Sequence, residues 1–224
     1  MRKVSFNIQM ILGSLLLLIL IGFAFYLIGL VYPSIKGNSL ISLLIVLVEL
    51  GLVGIGILVF KMYLNFIKGD MGESDVNYIL DKLEIENKEY SHLHDVMIRE
   101  NKGNIDSVVI GPTGVWSIEV KNQTERVIIH DKYLDKDINQ AYAESKELEK
   151  FLSAKGFNSP VTPVLVFANK RTRMNFGMRP INGVYVIGKK WLPELLIKHS
   201  NGYLSPEQCL QIKGFFNPYA SKIS

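Results

Sequence analysis

The chain has a single cysteine, Cys209, in 224 residues, which excludes an internal disulfide framework and any multi-cysteine zinc site. Nothing in its composition argues for an oxidising compartment. Histidine is almost as scarce: of His92, His94, His130 and His199, only the H-x-H pair at 92 and 94 has regular spacing. Two histidines alternating along a strand are expected to be structural or exposed rather than ligating. A large charge of one sign is also lacking. The net charge is +4, and without Arg2, Lys3, Lys36 and Glu49 the part from Lys61 onward carries 22 basic and 20 acidic residues, so a basic surface has to be local. There are no internal repeats and no low-complexity tract. The length leaves room for two membrane helices and one domain of about 150 residues, not for two soluble domains.

Apolar residues, in contrast, come in two long runs. Met10 to Val31 is almost wholly apolar, as is Leu40 to Phe60 apart from Glu49. Runs of 22 and 21 residues rising 1.5 Å per residue each reach across a bilayer core of about 30 Å. They read as two transmembrane helices. The first is longer than the apolar region of a signal peptide, and no small-x-small site follows it. Arg2 and Lys3 precede the first run, Lys61 and Lys68 follow the second, and the connecting loop carries only Lys36. The positive-inside rule therefore places both termini and the soluble part in the cytoplasm, on a protein crossing the inner (cytoplasmic) membrane twice. An ionised Glu49 at mid-span costs roughly several kcal/mol unless protonated, paired or wetted. It is either an oligomer contact or proton-linked site, or, in the preferred reading, a protonated side chain bonded to the neighbouring helix. Gly51, Gly54 and Gly56 permit close helix packing without a G-x-x-x-G motif, which gives slight support to a homo-oligomer formed through the membrane helices.

From Asp70 the period becomes helical, with Val76, Ile79, Leu80 and Leu83 as an i, i+3, i+4, i+7 stripe. A strand is expected over Glu89 to Ile98, a hairpin over Asn104 to Ile110 and Val115 to Lys121, and a short strand over Arg126 to His130. Asp135 and Asp137 open a second helix whose apolar face is Ile138, Ala141, Tyr142, Leu148 and Leu152, with Gly156 as its stop. Thr162 to Ala168 reads as a buried strand and Gly183 to Ile187 as another. Pro193 to His199 and Ser205 to Phe216 read as helices. The order is α-β-β-β-α-β with additions at the end.

The hairpin carries the chemistry. If Gly111-Pro112-Thr113-Gly114 is the whole turn, Ile110 lies opposite Val115, Asp106 opposite Glu119 and Asn104 opposite Lys121. The other face then pairs Val109 with Trp116, Ser107 with Ile118 and Ile105 with Val120, as a core-facing surface should. Opposed carboxylates with Cβ atoms roughly 5 Å apart repel and weaken a sheet. A divalent cation offsets that repulsion, and hard oxygen ligands suit Mg²⁺ or Mn²⁺, with Lys121 reaching the same space.

These residues resemble the nuclease-related domain (NERD), a branch of the PD-(D/E)XK nuclease-like superfamily. The resemblance runs from about Gly69 to Trp191. It rests on Gly72-Glu73, Asn104-Ile105-Asp106, Gly111-Pro112-x-Gly114-Val115, Ile118-Glu119-Val120-Lys121-Asn122 and Gln140-Ala141. It implies a PD-(D/E)XK-like α-β-β-β-α-β domain with a mixed central sheet, so that the whole chain is expected to be α/β, two transmembrane helices followed by that domain. It also implies a metal-dependent nuclease site. Asp106 and Glu119 would hold the metal, Lys121 would position or help activate water, and Glu73 and Gln140 would complete the site. Ser107 stands where many members have histidine, and Gln123-Thr124-Glu125-Arg126 lacks the glycine often found after E-x-K-N. Glu73 has an equal claim as a first-turn acid in a capping box, and Gln140 as a solvated residue beside Glu144 and Glu147.

Lys170, Arg171, Arg173 and Arg179 form the one basic stretch, suited to nucleic acid, to anionic lipid or simply to solvent. The chain therefore divides into a tail (1–9), a first span (10–32), an extracytoplasmic loop (33–39), a second span (40–60), a linker (61–68), the nuclease-related domain (69–191) and a helical extension (192–224). The leading expectation is a membrane-anchored cytosolic nuclease acting on DNA in preference to RNA. The alternative is a non-catalytic module that keeps the fold and binds nucleic acid or a membrane partner.

Overall fold

The computed structural model describes residues 13, 19–26, 28–29, 39–98, 103–122, 134–170, 172, 177–200, 202–216 and 218–219. The expected tail, much of the first span, nearly all of the 33–39 loop, the strand at 126–130, the 123–126 segment, Arg171 and Arg173 lie outside the described residues. The chain divides into two units, Met1–Lys68 and Gly69–Ser224.

In the first unit, residues 19–26 and 28–29 are helical, with Ile19, Leu20, Phe23 and Tyr26 exposed. Helix α1, Ser39–Glu86, follows. Its most apolar stretch has a mean hydropathy of 2.8 and none of it is buried by protein. Leu43, Leu47, Leu50 and Leu58 are all exposed, a distribution suited to hydrocarbon rather than water. Among the described residues this is one helix long and apolar enough to cross a membrane. A Cβ placed on Gly56 would lie 3.7 Å from Ile21 Cδ1, so the two helical segments run side by side at that point. Residues 61–68, expected as a linker, are helical as well. They contain no proline, and the lone glycine that follows weakens a helix without ending it.

The second unit is an α/β domain around a mixed six-stranded sheet of order β1-β2-β3-β4-β6-β5. The strands are β1 (Ser91–Val96), β2 (Ile105–Gly111), β3 (Gly114–Lys121), β4 (Val161–Phe167), β5 (Pro180–Ile181) and β6 (Val184–Gly188). The helices are the end of α1, α2 (Asp135–Ala154), α3 (Leu192–Lys198) and α4 (Pro206–Phe216). β1 to β3 form an antiparallel meander. β4 then joins β3 in parallel and β6 joins β4 in parallel, a crossover that needs an intervening helix, which α2 supplies. The short β5 was not foreseen.

Alternation along the strands sorts the core into two faces. On one, Val76, Leu80 and Leu83 of α1 and Leu192, Leu195 and Leu196 of α3 cover Val109, Trp116, Ile118, Val164 and Val166. On the other, α2 presents Ile138 and Ala141 to Leu165, Phe167 and Val186, and Leu148 and Leu152 join Ile212 and Phe216 of α4 over Val108, Ile110 and Val115.

The hairpin register matches the sequence expectation from the turn as far as Ser107 and Ile118. Beyond that the two strands are no longer paired, and Ile105, expected beside Val120, pairs instead with Val96 and lies in a different core cluster. Ile110 pairs with Val115 and Ser107 with Ile118, and Gly111 pairs with Gly114, so only Pro112 and Thr113 lie in the turn. Gly114 has φ 121°, which favours glycine. Gly111 is needed for space, since a Cβ there would overlap the Tyr90 ring. That ring is held by its hydroxyl, 3.2 Å from both Thr113 Oγ1 and the Leu196 carbonyl oxygen. Gly111→Ala should cost about 1–3 kcal/mol by overpacking. In denaturant unfolding, G111A with Tyr90→Leu should then be less destabilised than the two single changes added together, because both act in one contact. Strict additivity would contradict the packing described.

Candidate active site

The β2–β3 ladder runs to Ser107 and Ile118. One step further out stand Asp106 and Glu119, and there Asp106 Oδ2 accepts the Val120 backbone N–H at 2.8 Å. The side chain thus takes a backbone donor at the ladder's end and is fixed by it. On the other side, β3 continues against β4, pairing Glu119 with Leu165 and Lys121 with Phe167. Glu119 and Lys121 share the α2 face of the sheet by alternation, and Asp106 is close enough for its charge to act on Lys121 and Glu144.

α2 supplies the rest. Asp137, Gln140 and Glu144 are spaced i, i+3, i+7 and form one helical stripe. Gln140 Nε2 donates to Glu119 Oε1 at 2.8 Å and to Glu144 Oε1 at 3.0 Å. Lys121 Nζ donates to Glu119 Oε1 at 2.7 Å and to Gln140 Oε1 at 3.1 Å, and lies 3.7 Å from Asp137 Oδ1. Glu119 is only 4 % exposed. Burial, followed by the like charge of Glu144, pushes its carboxyl up to about 7 despite the opposing pull of Lys121. Burial raises Glu144 too. For Lys121, burial alone would lower the pKa, but its bond to Glu119 and the charges of Glu119, Asp137 and Asp106 outweigh that and hold it raised.

Glu144 is the residue that sequence reading missed. In the sequence it figured only as a neighbour of Gln140, whereas its Oε2 is buried and its carboxyl lies against that of Glu119. It is also the acid that acts on Glu119. Its signal was the i+7 spacing from Asp137, which puts three polar side chains on one helical face. Four carboxylates gather around one lysine, and Asp106, Glu119 and Glu144 could supply hard oxygen donors of the kind a divalent cation takes.

Glu73 lies on α1, the helix that covers the other face of the sheet. Gly72 is buried, and a Cβ on it would lie 2.5 Å from Asn122 Cβ, so this turn of α1 passes against the residue that follows Lys121. Of the basic stretch, Lys170 and Arg179 are exposed. Lys170 lines a cavity of about 860 Å³ together with Phe167, Gly188, Lys189, Lys190 and Trp191. Phe167 is paired with Lys121 on one side and Gly188 on the other, which places this cavity at the Lys121 end of the sheet. Trp191 is 45 % exposed, with Lys190 Nζ 4.8 Å from its ring centre. Neither lysine 189 or 190 nor Trp191 was singled out from sequence.

Buried acids, a lysine on the adjacent register position and a helical Gln bonded to both are on a mixed sheet of the expected order. Residues 68–168 match the family model described as NERD, nuclease-related domain. This stretch of the chain is therefore similar to a nuclease-related domain. No curated protein and no solved structure matches the chain. The matched stretch spans Glu73, Asp106, Glu119, Lys121, Gln140 and Glu144 alike. A domain of this kind suggests divalent-metal use and interaction with nucleic acid.

A carboxyl raised from 4.5 to about 7 in the folded protein binds more protons folded than unfolded. Its contribution to stability is present in acid and is lost as pH rises across that window. Without added metal, the stability of Glu119→Gln relative to the parent should therefore grow from pH 4.5 to 7 by about 1–3 kcal/mol and then level off. His92, lowered to about 4, contributes with the opposite sign and cancels in this difference. A pH-independent difference would show that Glu119 titrates normally.

Proposed function

We propose that the nuclease-related domain is a divalent-metal-dependent nuclease that hydrolyses phosphodiester bonds in DNA in preference to RNA. It is held at the cytoplasmic face of the membrane by its apolar N-terminal segments. The observation that carries this reading is the buried Glu119, raised to about 7, bonded by Lys121 and Gln140 and set against the carboxyl of Glu144. A fold that needed only to bind nucleic acid has no use for carboxylates buried together, since these repel phosphate.

Asp106, Glu119 and Glu144 would hold Mg²⁺ or Mn²⁺. Such an ion, when bound, neutralises phosphate charge and lowers the pKa of water. Gln140 fixes both Glu119 Oε1 and Lys121 Nζ, so the lysine is oriented before substrate arrives. As a compact cation it suits a non-bridging phosphate oxygen as charge develops there. Glu73, on α1 next to the Gly72 that packs on Asn122, would complete the constellation. The cavity at the Lys121 end of the sheet would give the polynucleotide a place to lie, with Lys170 and Lys190 towards phosphates and the Trp191 ring towards a base, while Lys189 is held by Asp75. Arg171, Arg173 and Arg179 belong to the same basic stretch. The exposed apolar surface of α1 supports lipid as a partner, and the basic residues flanking the apolar runs support a cytoplasmic domain. Glycines at 51, 54 and 56 support self-association in the membrane.

Full-length protein in detergent should nick plasmid and single-stranded DNA with Mg²⁺ or Mn²⁺ and not with EDTA. Glu119→Gln should abolish cleavage, and Lys121→Ala should slow it about 100-fold or more with DNA binding retained. DNA bound but never cut, or cleavage undiminished in E119Q, would overturn the enzyme reading in favour of a binding module.

A further inference from the structure

The H-x-H pair set aside in the sequence is not exposed. The His92 side chain is 1 % exposed and that of His94 11 %. Both lie on the face of β1 that meets α1. There α1 carries a polar stripe beside its apolar one: Asn77, Asp81 and Glu84, spaced i, i+4, i+7. Asn77 Oδ1 accepts from Ser107 Oγ at 3.0 Å, and Glu84 Oε2 accepts the His92 backbone N–H at 3.3 Å. Between them, Asp81 Oδ1 lies 3.1 Å from His92 Nδ1 and 3.2 Å from His94 Nε2.

We propose that Asp81, His92 and His94 form a binding site for a borderline transition-metal ion of the Zn²⁺ type, separate from the carboxylate site of the nuclease reading. One ligand atom from each residue lies within 4.8 Å of the others. Ligand atoms about 2.0–2.1 Å from a tetrahedral ion stand about 3.3 Å apart, close to both Asp81 separations. The donor set decides the metal: two imidazoles and one carboxylate suit Zn²⁺, whereas Mg²⁺ and Mn²⁺ favour oxygen throughout. The two rings are 3.8 Å apart between centres, too close for two positive charges to share comfortably. Burial and His94 hold His92 well below its ordinary value, and a neutral imidazole is the form that ligates. Asp81 is half exposed, so a fourth position is open to water from its side. A bound ion would clip the edge strand β1 to α1, the helix that also carries Glu73. The site is independent of the nuclease reading and stands if that reading fails.

The test uses untagged full-length protein in detergent, carrying Glu119→Gln so that the carboxylate site is crippled, titrated with Zn²⁺ under excess Mg²⁺. One Zn²⁺ per chain is expected, and adding Asp81→Asn should weaken its affinity by more than about tenfold. Asp81 is half exposed and Asn matches its shape, so folding should survive, which circular dichroism checks. X-ray absorption on Zn²⁺-loaded E119Q needs no variant of the site itself and should show two imidazole ligands, which the carboxylate site cannot provide. No uptake by E119Q, equal affinity in D81N/E119Q with its fold intact, or an all-oxygen shell would overturn the proposal.

Discussion

Glu119 is a carboxylate drawn out of water beside a second carboxylate, and the architecture of the domain's working end follows from what that arrangement requires. Burial and Glu144 both disfavour its charge, and the close bonds from Lys121 and Gln140 recover only part of the cost. Near neutrality the site must either keep a proton or take up a cation. The surrounding elements are arranged to hold that tension. The β2–β3 ladder gives way to a side-chain bond from Asp106, the α2 stripe brings Asp137, Gln140 and Glu144 onto one face, and the missing side chain of Gly72 lets α1 close on Asn122.

The hairpin and its acids were legible because two rules act together there. Side chains alternate with a period of two, and a tight glycine-bounded turn fixes the register. Once Ile110 is set against Val115, the register to Ser107 and Ile118 and the shared face of Glu119 and Lys121 follow by counting, whereas Asp106 lies past the end of the pairing. Helices α2 and α4, strands β4 and β6 and the stop at Gly156, with φ 82°, were readable from apolar period and turn chemistry. The residues that were missed owe their roles to packing between distant segments. Glu144 looks like any exposed helical acid until β3 is laid beneath it. Lys189, Lys190 and Trp191 follow a strand whose neighbour in the sheet lies some twenty residues earlier. The unbroken helix through residues 61–68 passes from an apolar to an amphipathic pattern without a cap or proline, leaving no local mark of where one role ends.

The same helix explains why His92 and His94 are buried rather than exposed. An alternating pair on an edge strand reads as exposed when the strand is considered alone. It is α1, with Asp81 one turn after Asn77, that covers the pair and supplies a third donor. The sheet thus presents oxygen-rich chemistry on its α2 face and nitrogen-rich chemistry on its α1 face. Donor type, more than affinity, would keep different ions apart.

The account rests on an oxygen-donor ion site centred on Glu119, and Mn²⁺ binding followed by electron paramagnetic resonance on the full-length protein tests it most directly. Mn²⁺ should be bound by the parent protein, displaced by excess Mg²⁺, lost in Glu119→Gln and retained in Asp81→Asn. Binding that persists unchanged in E119Q, or no binding by the parent even with an oligonucleotide present, would contradict it.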